Sequence, residues 1–155
     1  MRLLTLTFII FLVFTDYLSK TLIKNNFDQN FYVVNEYISI QIFYNKGVAF
    51  SLFHSPSILV NIILTLIISI IILFLLYIFL KDFSRLSRTE LFGYIFLISG
   101  ATANLLDRLL NGSVLDFLII NYNQIYFPAV FNVADIFISF GALLIITSYV
   151  FRPNK

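Results

Sequence analysis

Residues 58–80 read ILVNIILTLIISIIILFLLYIFL and contain no charged side chain. About 20 predominantly apolar residues are enough for a helix to cross the hydrocarbon core of a bilayer, so this stretch predicts a spanning helix. The Ser-Pro-Ser sequence at 55–57 offers a helix start directly before it. Because lipid cannot satisfy irregular backbone, the segment is expected to be helical throughout.

Three further segments are apolar enough to cross a membrane, and they lie at 3–23, 91–107 and 131–151. The composition of the whole chain also indicates a membrane protein, since 60% of its residues are hydrophobic and 12% are charged. A soluble domain has about 45–50% apolar and about 25% charged residues. The sequence therefore predicts one integral membrane domain over residues 1–155, an all-α protein with four transmembrane helices.

The two longer connecting segments, 25–57 and 111–129, are expected to form a small cap. The sequence from Tyr37 to Ile42 alternates between apolar and polar residues, as a half-buried strand does. Both segments are rich in aromatic residues, which favour the headgroup level of a membrane. We therefore predict a small β-sheet lying on one membrane face.

Basic residues near the span ends predict the orientation of the chain. One side carries Arg2, Lys81, Arg85, Arg88, Arg152 and Lys155, and the other carries Lys24, Lys46 and Arg108. The bias predicts that both termini are cytoplasmic and that the sheet and loop cap is extracytoplasmic.

Composition excludes several kinds of site. The chain has no cysteine, which excludes thiol nucleophiles, disulfides and thiolate metal sites. His54 is the only histidine, so a zinc site with two or three imidazoles within the chain is also excluded. The net charge of +2, without a basic patch, gives no indication of a nucleic-acid partner.

Ionisable residues in or near the spans are predicted to gather in one layer near the outer face. A charged group within a span costs about 2.5–3.5 kcal/mol on insertion scales, so such groups are usually paired or functional. Asp16 and Lys20, four residues apart, can form a structural ion pair, and Asp107 with Arg108 can be a simple helix end. Asp116 and Asp135 have no basic residue at helical spacing. If they approach each other, one should hold a proton while the other stays ionised, as a pair that activates water requires.

Other readings of the polar residues are weaker. Ser51, His54 and Ser55 contain a nucleophile and a base, but neighbours on one short loop rarely align as a triad. The small residues of the spans are expected to serve helix packing. They are Ser69, Ser99, Thr102, Ser139, Gly93, Gly100 and Gly141.

Two other functions remain open at this point. Membrane carboxylates also serve ion and proton carriers, although carriers usually place them near the midplane and often have internal repeats. A non-catalytic assembly subunit is the third reading, and it would need no outer carboxylate pair.

Five strings in order along the chain resemble those of the lipoprotein signal peptidases, also called signal peptidase II or prolipoprotein signal peptidases. The likeness covers nearly the whole chain. The strings are DYLSK (16–20), NKGVAFS (45–51), GATANLLDR (100–108), GSVLDF (112–117) and FPAVFNVAD (127–135).

The resemblance implies an aspartic endopeptidase at the extracytoplasmic (periplasmic) face of the bacterial inner membrane. It would cut prolipoproteins just before a lipobox cysteine that carries diacylglycerol, without cofactor or metal. Its partners would be these substrates and membrane lipid, with no nucleic acid, and the chain is expected to act as a monomer. The family's catalytic aspartates correspond to Asp116 and Asp135. Its supporting residues correspond to Asp16, Lys20, Asn45, Gly47, Asn104, Asp107, Arg108, Asn132 and Ala134.

Within this reading, Asp107 is expected to be an orienting residue held by Arg108 or Asn104. Asn45, Asn132 or backbone N–H groups are expected to donate to the oxyanion of the reaction. The chain departs from the family pattern at two places. Ala103 stands where glycine is usual, and Val130 is an additional residue before the fourth span.

Overall fold

The computed structural model describes residues 2–47, 57–122 and 125–151. Within them the elements follow one another as four helices and four strands. They are α1 (Arg2–Asn26), β1 (Tyr32–Val33), β2 (Ile38–Asn45), α2 (Ile58–Asp82), α3 (Arg88–Asn111), β3 (Val114–Tyr122), β4 (Ile125–Phe131) and α4 (Val133–Val150).

All four described helices are long and apolar enough to cross a membrane, which confirms the predicted architecture. Three helices end later than predicted, at Asn26, Asp82 and Asn111 rather than at 23, 80 and 107, and two helix starts also differ by more than one residue. α3 starts at Arg88 rather than at 91, because the Ser87 side chain accepts a hydrogen bond from the Glu90 N–H and Glu90 returns one to the Ser87 N–H. α4 starts at Val133 rather than at 131, because β4 continues to Phe131.

Helices α3 and α4 form the tightest pair, and glycines allow their close approach. A Cβ on Gly141 would lie 2.5 Å from the Leu97 nitrogen and 2.6 Å from the Gly93 carbonyl oxygen. A Cβ on Gly100 would collide with the carbonyl oxygen of Ala134. These glycines therefore serve helix packing, as expected from the sequence.

The strands form one antiparallel sheet in the order β1-β2-β3-β4. The pairing of β2 with β3 shifts by a bulge between Ile40 and Phe43, after which Phe43 lies opposite Asp116. A second irregularity lies in the pairing of β3 with β4. Ile119 and Asn121 are two residues apart, but their partners Val130 and Tyr126 are four residues apart. The residues that β4 has in excess of β3 therefore lie within the sheet, between Tyr126 and Val130, before α4 begins.

Connectivity places the sheet at one end of the helices. β1 and β2 lie between α1 and α2, β3 and β4 lie between α3 and α4, and the short α2–α3 connection lies at the opposite end. Ile42, Leu115 and Phe117 form an apolar cluster under the sheet, against Ile23 of α1 and Val133 of α4. This packing fixes β3 over the ends of the helices.

Candidate active site

Asp135 is positioned by the start of α4. Asn132 is the N-cap residue: its side chain accepts a hydrogen bond from the Asp135 N–H at 2.9 Å. The Asp135 Oδ2 in turn accepts from the Asn132 N–H at 3.2 Å. This reciprocal capping box holds the carboxylate at the helix N-terminus, where the positive end of the helix dipole favours a negative charge.

Asp116 reaches the same place from the sheet. It is the third residue of β3, and its neighbours Leu115 and Phe117 point to the opposite face, into the apolar cluster. Alternation along the strand therefore directs Asp116 away from the core cluster. The side chain is nevertheless buried, with 4% of its surface exposed.

Asn132 connects the two aspartates. Its Nδ2 donates to the Asp116 Oδ1 at 2.6 Å, while its backbone N–H donates to Asp135. The residue is fully buried, and the capping bond fixes its Oδ1 toward α4. The amide can therefore present only its donor end to Asp116.

Two further asparagines complete the set of donors. The Asn45 Oδ1 accepts from the Gly47 N–H at 2.9 Å, and its Nδ2 donates to the Asp116 Oδ2, also at 2.9 Å. The Asn104 Nδ2 donates to the Asp135 Oδ1 at 2.8 Å. Each of the four carboxylate oxygens thus accepts a hydrogen bond from an amide.

Lys20 orients Asn104. Its ammonium group can only donate, and it donates to the Asn104 Oδ1 at 3.1 Å, which leaves the amide nitrogen for Asp135. Lys20 also forms ion pairs with Asp16 at 2.6 Å and with Asp107 at 2.8 Å. Asp16 in turn accepts from the Ala134 N–H at 2.8 Å, which joins α1 to the first turn of α4.

The expectation for Asp107 is wrong in one respect. Its carboxylate pairs with Lys20 across from α1, and the Arg108 guanidinium instead donates to the carbonyl oxygen of Gly47. Successive helix residues project in different directions, so Asp107 and Arg108 do not face each other. Another Arg108 atom, Nη1, is buried without a hydrogen-bond partner among the described residues.

Both aspartates face a groove with a volume of about 740 Å³. Its polar end also contains Asn45, Asn104 and Arg108. Its other end is lined by apolar side chains of α2 and α4, among them Ile68, Ile136, Phe140 and Leu143. The groove thus joins a carboxylate pair to an apolar channel along the spanning helices.

Burial raises the pKa of Asp116 to about 6, and the negative charge of the nearby Asp135 acts in the same direction. The amides of Asn45 and Asn132 act in the opposite direction, because they stabilise the ionised form. A carboxyl group with this pKa exists in both protonation states near neutral pH, which suits a proton-transfer role.

All the predicted site residues within the described ranges belong to this one network or line its groove. Gly47 and Ala134 contribute backbone groups only. The alternative residues Ser51, His54 and Ser55 lie outside the described residues. One polar residue beside the site was not singled out from the sequence: Asn61, whose amide donates to the Gly112 carbonyl at the junction of α3 and β3. A lone asparagine in an otherwise apolar span is the signal that could have identified it.

The sequence profile of the family described as signal peptidase (SPase) II matches residues 8–151. The chain belongs to this signal peptidase II family. Its sequence is 33% identical to the lipoprotein signal peptidase of Cellvibrio japonicus, over 96% of this chain and 85% of that protein. It is 38% identical to the lipoprotein signal peptidase of Wigglesworthia glossinidia brevipalpis, over 88% of this chain and 86% of that protein.

The fold has a match of known structure. A bacterial membrane enzyme solved by the in meso method superimposes with a TM-score of 0.76 at 25% identity, over 97% of this chain and 93% of that one. As a member of the signal peptidase II family, the chain is a multi-pass membrane hydrolase of the aspartic peptidase type.

Proposed function

We propose that the chain cuts diacylglyceryl-modified prolipoproteins just before the modified cysteine, with Asp116 and Asp135 as the catalytic pair. Membership of the signal peptidase II family supports prolipoproteins as the substrate class. The observation that carries the residue assignment is the Asn132 bridge between two carboxylates that face one groove.

The two aspartates have different surroundings, which favours different roles. Asp135 lies at a helix N-terminus and accepts from an asparagine whose oxygen is bound to the Lys20 ammonium. These contacts stabilise a negative charge. We assign Asp135 as the base that takes a proton from the attacking water. Asp116, with its raised pKa, is the acid that donates to the carbonyl or leaving nitrogen of the scissile peptide.

The shape of the groove fits a substrate that is part peptide and part lipid. The scissile bond would lie at the polar end, between the aspartates. The diacylglyceryl group would lie along the apolar end, against Ile68 of α2 and Phe140 of α4. Such a placement keeps the acyl chains at membrane depth while the peptide bond stays at the interface.

Arg108 is the best-placed donor for the substrate carbonyl. The amide nitrogens of Asn45 and Asn132, which were expected to serve the oxyanion, are directed at Asp116 instead. Arg108 lines the groove and is buried, with 7% exposed, and its Nη1 has no partner among the described residues. A buried donor without a partner is costly unless a ligand accepts its hydrogen bond.

The sheet end is proposed to lie outside the bacterial inner membrane. The basic residues Lys81, Arg85 and Arg88 lie at the opposite end, as cytoplasmic loops require. Exposed aromatic side chains in or directly beside the sheet, including Tyr37, Tyr122 and Tyr126, suit the headgroup level.

A gel-shift assay in detergent tests this function. Wild type, Asp116→Asn and Asp135→Asn would each receive a diacylglyceryl-modified prolipoprotein, with Asp82→Asn at the far end of α2 as the matched control. We expect cleavage by wild type and Asp82→Asn only, because each site aspartate supplies a proton-transfer step. Turnover by either site variant would refute the catalytic pair. Proton flux through wild type without cleavage would favour a carrier instead.

A further inference from the structure

Asn61 is an unusual residue for its position. It lies in the first turn of α2, which has the highest mean hydropathy of the four described spans, 3.2. An amide in lipid needs a hydrogen-bonding partner, and the Asn61 Nδ2 donates to the carbonyl oxygen of Gly112. The Asn61 Oδ1 is buried without a partner among the described residues. The donor end alone therefore makes the contact.

Gly112 occupies a turn on which the site depends. It ends α3 in the left-handed conformation, with φ of 68°, and its N–H donates to the Arg108 carbonyl. β3 begins two residues later and carries Asp116. Asn61 thus attaches α2 to the junction between the helix that carries Arg108 and the strand that carries Asp116.

The rest of α2 explains what this attachment does. Ile72 and Phe79 are buried on the same face of the helix, and Phe79 packs against Tyr94 and Ile98 of α3. Ile68 lies seven residues after Asn61, which places both on one helical face. Ile68 does not pack into that core cluster; it lines the apolar part of the groove. Helix α2 is therefore a groove wall held at both ends.

We propose that Asn61 is a positioning residue that anchors the outer end of α2 on the Gly112 turn and thereby sets the width of the apolar groove. Through that width it determines which acyl chains the enzyme accepts, an inference that rests on the proposed function. Asn61 does not touch the reacting atoms. Its loss should change substrate binding and chain selectivity while leaving the chemical step unchanged.

Kinetics with two substrates test the anchor. Prolipoprotein peptides carrying dipalmitoylglyceryl or dioctanoylglyceryl would be cleaved by wild type, Asn61→Leu and the control Thr65→Val. Thr65 lies one turn further along α2, and among the described residues its hydroxyl donates only within its own helix, to the Asn61 carbonyl. We expect Asn61→Leu to raise KM for the long-chain peptide about threefold, the effect of one lost interhelical hydrogen bond. Asn61→Leu should also discriminate less than wild type between the two peptides, while its kcat stays unchanged. Thr65→Val should have the kcat, KM and chain preference of wild type.

A distance measurement makes the result independent of turnover. The chain has no cysteine, so spin labels at Ile63→Cys and Leu109→Cys would report the gap between the outer ends of α2 and α3. The distance distribution should widen in Asn61→Leu and not in Thr65→Val.

An unchanged KM with unchanged chain preference would overturn the inference, as would a fall in kcat alone. If wild type cleaves neither peptide, the proposed function fails. The anchor is then judged by distance: an unchanged distribution in Asn61→Leu overturns it, and a wider one supports it.

Discussion

Replacing Asn132 separates its two contributions, to helix capping and to the placement of Asp116. Asn132→Ser keeps an oxygen that can cap α4 but is too short to reach Asp116. Asn132→Ala removes both contacts. Both variants leave the Asp116 Oδ1 without the 2.6 Å bond that holds it in the wild type.

The magnitudes follow from the two contacts. Loss of an N-cap side chain costs about 1 kcal/mol of stability. Loss of a hydrogen bond to a charged group costs about 1.5–3 kcal/mol. We therefore expect Asn132→Ala to be about 1 kcal/mol less stable than Asn132→Ser. If the bond to Asp116 is needed in the transition state, each variant should lose about 10- to 150-fold in kcat/KM, since about 1.4 kcal/mol corresponds to a factor of ten.

Two measurements are needed. Thermal unfolding in detergent compares stabilities, and cleavage of a lipid-modified peptide gives kcat/KM. The reasoning predicts that the variants share the loss of activity and differ in stability. If Asn132→Ser has the same kcat/KM as wild type, the bridging role of Asn132 is refuted. Equal stability of the two variants would refute its capping role.

Two other predictions concern proton transfer and helix packing. Because the Asn45 amide lowers the pKa of Asp116, Asn45→Ala should raise that pKa above about 6. With Asp116 as the acid, activity falls as pH rises through its pKa, so the falling limb of the kcat/KM profile should move to higher pH; a move to lower pH would contradict the assignment. Gly141→Ala should destabilise the protein by about 1–3 kcal/mol in detergent, because its Cβ would lie 2.5 Å from the Leu97 nitrogen and 2.6 Å from the Gly93 oxygen. Unchanged thermal stability would rule out that contact.

The spanning helices could be predicted because lipid leaves the sequence few options. An apolar run of sufficient length in a membrane must be helical, so residues 58–80 decide the architecture without any tertiary information. The helix ends were less predictable. Arg88 and Glu90 interrupt the apolar pattern, yet the Ser87–Glu90 capping box makes them the first turn of α3. Hydropathy does not detect a boundary that side-chain hydrogen bonds determine.

The sequence predicted which residues belong to the candidate site, but it did not predict which of them contact each other. Asp116 and Asp135 stood out because neither had a basic neighbour on its own element. The partner of Asp107 was predicted wrongly, because the nearest base in sequence, Arg108, points elsewhere, whereas Lys20 approaches from α1. Contacts between elements depend on packing that a single sequence does not encode locally.

The use of asparagine around the pair has a physical reason. A lysine or arginine bound directly to each carboxylate would hold it ionised and prevent one aspartate from carrying a proton. An amide donates a hydrogen bond without adding a net charge, so it can position a carboxylate and still allow protonation. An amide can also present its oxygen, and this ambiguity must be removed before substrate binds.

In each of three asparagines, the amide oxygen accepts a hydrogen bond from a partner that can only donate, and this fixes the orientation of the amide. The Gly47 N–H fixes Asn45, the Lys20 ammonium fixes Asn104, and the Asp135 N–H fixes Asn132. All three partners are groups of the chain itself. The donors are therefore directed at the carboxylates by folding itself, and no amide has to reorient during the reaction.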